Sequence, residues 1–160
     1  TAPESAMASD LSYYPRSGLY WETPNTIYAQ YRGGDCPNPC RKYHVSSALD
    51  GAEHVSALVL PYLAERKLFH KVVRSRSCLT RQSAGDQAGK FITIYMPAYV
   101  AHKNRVISAL GAMLATLQGS GRARPSPTVP KSRAYSHVFI EQPLAEAMFT
   151  YGGFVCDPSE

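Results

Sequence analysis

Acidic residues are scarce in this chain: 12 Asp and Glu stand against 17 Lys and Arg, and charged residues make up only 18%. Between positions 36 and 96 the carboxylates are Asp50, Glu53, Glu65 and Asp86. A kinase is not expected of this sequence, which is short and lacks the metal-binding carboxylate motifs. No stretch reaches the roughly 18 apolar residues of a membrane span. Thr1-Ala2-Pro3-Glu4 lacks a basic region followed by an apolar run, so no secretory signal is read and a cytoplasmic setting is expected. No initiator methionine stands there either, which points to processing or tag removal. Cysteine is limited to Cys36, Cys40, Cys78 and Cys156. Cys36-Pro-Asn-Pro-Cys40 has the spacing of half a zinc site or of a disulfide, but no second Cys or His pair matches it. Free thiols in a reducing compartment are the expectation, with no metal. The chain also has no P-loop, Rossmann fingerprint, Gly-x-Ser-x-Gly elbow or His-Glu-x-x-His helix.

What is present is a 160-residue chain with 44% hydrophobic content, enough for one sizeable core. Its formal charge of +5 favours anionic partners: nucleic acid, a lipid surface or a phosphorylated substrate. The tightest basic groups, Arg74/Arg76/Arg81 and Arg122/Arg124/Lys131/Arg133, serve such a partner or simply solubility. Eleven tyrosines mark half-buried surfaces and binding sites.

Residues 1–10 are small and polar and read as a disordered tail. Residues 11–40 read as irregular structure or short strands over the core, with Tyr28-Ala29-Gln30-Tyr31 one turn of helix or a short strand. From Arg41 to Ser47, Lys42, His44 and Ser46 alternate with Tyr43 and Val45, which is strand periodicity and puts the lysine and histidine on one face. Asp50 reads as an N-cap with Glu53 at the capping-box position, opening a helix to about Lys67 in which Pro61 marks a candidate kink. Leu68 to Arg74 is a strand holding Lys71, 75–89 a polar loop, 90–96 a strand and 98–118 a second amphipathic helix. Residues 119–132 read as a flexible connection, and Ser136 to Ile140 and 149–155 as further strands. The order predicts one α+β domain over residues 11–160, with a curved mixed or antiparallel sheet and two main helices.

The chemistry lies in the nitrogen-bearing side chains on these strands. Buried strands rarely carry so much potential positive charge without using it. Lys42 and His44 either hold an anion, or snorkel from an edge strand and sit as a satisfied core histidine respectively. Lys71, in an apolar strand near other cations, is placed to lose its proton and act as a base, unless it faces solvent. Lys90, after Gly89 at a strand start, is an anion contact or a solvent cap.

Lys42-Tyr43-His44-Val45-Ser46, a helix, His70-Lys71, then Gly89-Lys90-Phe91-Ile92-Thr93-Ile94-Tyr95 and a terminal Tyr151-Gly152-Gly153-Phe154 together resemble the phosphoserine/phosphothreonine lyase domain of class III and IV lanthipeptide synthetases. The resemblance spans roughly residues 12–155 and extends more weakly to bacterial effector phosphothreonine lyases. It implies a phosphothreonine-lyase-like fold and β-elimination of phosphate to give dehydroalanine or dehydrobutyrine, without metal or organic cofactor. It casts Lys71 as the base at Cα, His44 as the acid for the departing phosphate, and Lys42 as the phosphate contact that keeps the base neutral. Arg81 and Lys90 are its candidates for further phosphate binding. An arginine commonly precedes the closing motif where this chain has Thr150, which either passes that role to Arg133 or Arg124 or weakens the phosphate site. The family's kinase and cyclase domains are missing here, so the chain is an excised domain or a stand-alone lyase. The implied partners are a phosphorylated precursor peptide with its leader and a separate Ser/Thr kinase, with no nucleic acid and no membrane. Three other readings stay open: a degenerate lyase that only grips phosphopeptide or leader, an effector acting on a signalling kinase, and a basic nucleic-acid binder using the aromatics of 13–31.

Overall fold

The computed structural model describes residues 10–37, 40–85, 87–97, 103–127 and 155–156. Its elements are β1 (Tyr20–Glu22), β2 (Tyr28–Tyr31), β3 (Cys40–Val45), α1 (Ala52–Glu65), β4 (His70–Val73), α2 (Arg76–Gln82), β5 (Ile92–Pro97), α3 (Lys103–Gly119) and β6 (Val155–Cys156). The six strands form one sheet in the order β1-β2-β4-β5-β3-β6. Every described pairing is antiparallel.

Two features correct the expected architecture. The described residues hold three helices, not two, and the sheet is open, with β1 and β6 as its edges, rather than curled. The additional helix is α2, which lies where a polar loop was expected. Its local sequence carries little helix signal, and the Ser75 side chain makes no capping bond. The cap comes from far away: Asp10 Oδ1 accepts from the Ser77 amide at 3.0 Å. Cys78, Leu79 and Gln82 then form the buried side of this short helix.

Helix α1 begins one residue beyond the capping box read from the sequence. Gly51, not Asp50, holds the N-cap position, at φ 92° and without a side-chain cap bond. A Cβ at Gly51 would run into the carbonyl of Arg122, so both the left-handed backbone and the close approach of the segment after α3 require glycine. The helix continues through the exposed Pro61 to Glu65. The segment 11–31 holds two short strands joined by bends and turns: β1 and β2 bring Tyr20, Tyr28 and Tyr31 into the core, beside Tyr13 and Tyr14. The expected strand at Ser136–Ile140 and most of that at 149–155 lie outside the described residues, as does the tail before Asp10.

The strand alternation gives the sheet two unlike faces. One carries Tyr43, Val45, Ile92, Ile94, His70, Val72, Ala29 and Tyr31, all in the apolar core with Val55, Val59 and Leu63 of α1 and Leu110 and Leu114 of α3. Tyr31 Oη donates to the Ala64 carbonyl at 3.1 Å, which places α1 over this face. The other face carries Lys42, His44, Thr93, Tyr95, Lys71 and Tyr28.

His70 shows what a structural histidine looks like in this fold. Its Nδ1 lies 2.6 Å from the Leu68 carbonyl, which can only accept, so Nδ1 carries the proton. Nε2 therefore accepts from Tyr20 Oη at 2.7 Å, and the ring stacks on Tyr31 at 4.7 Å. Burial lowers its pKa from 6.5 to about 4, against a smaller opposing effect of the Leu68 bond. Between these values the unfolded chain binds more protons than the folded one. Stability is then fully present above about pH 6.5 and falls as pH drops toward 4, by on the order of 3 kcal/mol for this one group. Urea midpoints measured between pH 7 and 4 should fall in that window, and the His70 ring resonances should titrate near its lower end. A His70 ring that titrates near 6.5 in the folded protein would refute the assignment.

Candidate functional site

The polar face of the sheet assembles the candidate site through strand register. His44 on β3 stands opposite Thr93 on β5, and Thr93 stands opposite Lys71 on β4. Two strand spacings separate His44 from Lys71, about 10 Å between backbones, which a lysine side chain can span in large part. Lys42, two residues before His44, stands opposite Tyr95 on the same face. Lys71 Nζ lies 4.2 Å from the centroid of the Tyr28 ring, and Lys42 Nζ lies 5.8 Å from that of Tyr95. These rings offer their negative faces to the ammonium groups. Lys90 enters just before β5 and is only 3% exposed. Its backbone carbonyl accepts from Gln82 Nε2 at 2.8 Å, and the same amide donates to Tyr28 Oη at 3.0 Å. Gln82 thus ties α2, β2 and the entry to β5 around the site.

His44 sits at the centre. It is 2% exposed, and its Nδ1 lies 3.0 Å from Thr93 Oγ1. Its Nε2 is buried without a hydrogen-bond partner among the described residues. Buried polar atoms are nearly always satisfied, and His70 on the opposite face follows that rule at both nitrogens. The core-histidine reading thus fits His70, whereas His44 keeps one buried nitrogen without a partner among the described residues. Burial first, then the positive charges of Lys90, Lys42 and Lys71, holds the His44 pKa well below 6.5. All three lysines therefore act on one ring. A neutral imidazole beside three lysines, with one nitrogen unpartnered among the described residues, is chemically fitted to receive an anion and to exchange a proton with it.

The remaining sequence candidates are placed differently. Arg81 is exposed on α2, with Nη2 3.2 Å from Cys78 Sγ, and it is not among the charges that act on His44. It lines an adjoining cleft with Arg74 and Tyr28. Arg124 follows α3 with an exposed side chain, and its backbone carbonyl accepts from Ala48 just beyond β3. Arg133, Thr150 and the Tyr151-Gly152-Gly153-Phe154 segment lie outside the described residues. Cys36 carries a free, exposed thiol and Cys78 a buried one. Among the described residues no cluster of His, Cys, Asp or Glu could hold a metal ion. No helix among them is long and apolar enough to cross a membrane. Of the aromatics that invited a nucleic-acid reading, Tyr13, Tyr14, Tyr20, Tyr28 and Tyr31 are buried, while Trp21 is 41% exposed.

Thr93 and Gln82 escaped the sequence reading. A threonine in a β-branched run reads as a strand former, and only the pairing of β5 with both β3 and β4 reveals that it touches the histidine.

The model of a family described as "RamC, N-terminal domain" matches residues 21–121. The chain belongs to this family. The matched span encloses β2 through α3 and therefore Lys42, His44, Lys71, Lys90 and Thr93, while Arg124 and Arg133 fall beyond it. The chain is also 32% identical over 118 residues to a probable SapB synthase of Streptomyces coelicolor (strain ATCC BAA-471 / A3(2) / M145). That similarity covers 71% of this chain and 13% of the synthase. The chain thus corresponds to a small part of that larger protein. Family and relative together link it to the lanthipeptide biosynthesis machinery in general.

Proposed function

We propose that this domain is a carbon–oxygen lyase that removes phosphate from phosphoserine or phosphothreonine in a ribosomally made lanthipeptide precursor. The observation that carries this reading is the row His44, Thr93, Lys71 across three strands, with an open His44 Nε2 among three lysines. In the proposed reaction the phosphate lies against His44, Lys42 and Lys90. This directs the Cα–H toward Lys71. The Lys71 amine takes the Cα proton, the C–H electron pair forms the Cα=Cβ bond, and the Cβ–O bond breaks. The electron pair of that bond leaves on the phosphate oxygen, which receives a proton from Nε2 of His44, held as imidazolium by the bound phosphate and left as neutral imidazole. The products are inorganic phosphate and dehydroalanine or dehydrobutyrine. The lysines supply charge where the leaving group gathers it, and the rigid sheet supplies the alignment. The partners this reading assigns are the phosphorylated precursor with its leader and a Ser/Thr kinase that phosphorylates it.

The reading is tested by incubating the protein with a phosphothreonine peptide and following the mass loss of phosphoric acid. Stoichiometric conversion to the dehydrobutyrine peptide is expected. A peptide that binds tightly and is recovered intact would make the domain a phosphopeptide-binding module and remove the lyase reading.

A further inference from the structure

The cleft beside the site has a composition that the elimination itself does not use. It has a volume of about 570 Å³ and lies between the start of β2, the end of β4 and α2. Two guanidinium groups, Arg74 and Arg81, line it, with neutral polar side chains from Asn25, Thr26 and Gln82, and no acidic residue is among its described lining. Arg74 Nη1 reaches Glu22 Oε2 at 3.3 Å, so one edge of that guanidinium is engaged. Its Nε is buried and has no hydrogen-bond partner among the described residues. An unpartnered guanidinium N–H beside such a cleft is a donor suited to a carboxylate or phosphoryl oxygen. Tyr28 joins this cleft to the reaction centre: it lines the cleft, and its ring lies 4.2 Å from Lys71 Nζ.

We propose that this cleft is a second anion site, which takes a carboxylate or phosphoryl side chain two or three residues from the reacting one. The proposal rests on the lyase reading for the orientation of the peptide. Two or three extended residues span ~7–10 Å, enough to pass from Lys71 across the Tyr28 ring into the cleft. The site would make the domain select acidic or multiply phosphorylated stretches of its substrate. It also gives Arg81 a role separate from the departing phosphate, in keeping with its absence from the charges acting on His44.

The test uses the full chain and peptides in which the reacting position is a methylene phosphonate, so that binding is read without elimination. Three peptides carry Ala, Glu or phosphoserine at the flanking position, and fluorescence anisotropy gives their affinities. The Glu or the phosphoserine peptide should bind about tenfold more tightly than the Ala peptide, and comparing the two identifies the preferred anion. Arg81→Gln should bring all three within about twofold while leaving the Ala peptide unchanged, and Arg74→Gln should act in the same direction. Equal affinity for the three peptides in the wild type, or a preference that survives both substitutions, would overturn the proposal. Ordinary phosphothreonine peptides run in parallel separate the two ideas. Flank preference without phosphate loss leaves the cleft standing and removes the lyase, whereas phosphate loss without flank preference does the reverse.

Discussion

On the proposed reading, a Lys71→Ala variant is expected to lose phosphate elimination by about 10²–10⁴-fold while still binding phosphopeptide, because it would remove the base and spare the other lysines around the phosphate. The fold should tolerate the change. Lys71 is half-buried on the polar face, with Nζ 4.2 Å from the centroid of the Tyr28 ring, and is not itself part of the apolar core. The alanine variant alone cannot separate a base from a charge. Lys71→Arg does so, because a guanidinium keeps the positive charge yet cannot be deprotonated in a protein. If Lys71 supplies electrostatic attraction only, the arginine variant retains most of the rate. If it takes the Cα proton, the arginine variant falls as far as the alanine one. The measurement is a single-turnover time course of phosphoric acid loss at fixed pH, with circular dichroism as a folding control. Near-wild-type turnover in Lys71→Arg would remove Lys71 as the base.

The parts of this site that could be read in the chain are those governed by neighbours in sequence. Lys42 and His44 share a face because strand side chains alternate, and that holds wherever the strand sits. The helix after β3 and the strand around Ile92 announce themselves by apolar periodicity and β-branched content. The order β4-β5-β3 is a long-range matter, and so is everything that depends on it. Lys71 follows His44 in sequence with one helix between them, yet β5, which comes later, lies between their strands. Thr93 gains its contact with His44 only through that arrangement. Helix α2 went unread for a related reason: its cap is Asp10, and its buried polar residue Gln82 is satisfied by Tyr28 and Lys90. Each partner is distant or on another element, so local propensity had nothing to register. Gly51 differs again. A capping box at Asp50 and Glu53 is a sound local signal, but the close approach of Arg122 demands a residue without a Cβ, and the tertiary contact wins.

Anion binding at this site is expected to draw one proton onto His44. In the empty site burial and three lysines keep the ring neutral, with its pKa well below 6.5. A dianion placed among those lysines reverses the local field and favours imidazolium, so the pKa of the bound state lies above that of the empty state. Between the two values binding takes up a proton, and affinity rises as pH falls, by up to tenfold per pH unit. Above the bound-state value the histidine is neutral in both states, and below the empty-state value it is charged in both, so the dependence vanishes at either end. Thr93 can serve both forms, since its hydroxyl donates to a bare Nδ1 and accepts from a protonated one at 3.0 Å. Phosphate itself titrates near pH 6 and would blur the proton count, so sulfate is the better probe. Calorimetry with sulfate near pH 6.5, in two buffers of different ionisation enthalpy, should give different heats for the wild type and equal heats for His44→Asn. The same variant should lose elimination by about 10²–10⁴-fold, since the leaving phosphate then departs without its proton. Equal heats in the wild type, or proton uptake that persists in His44→Asn, would take the acid role away from His44.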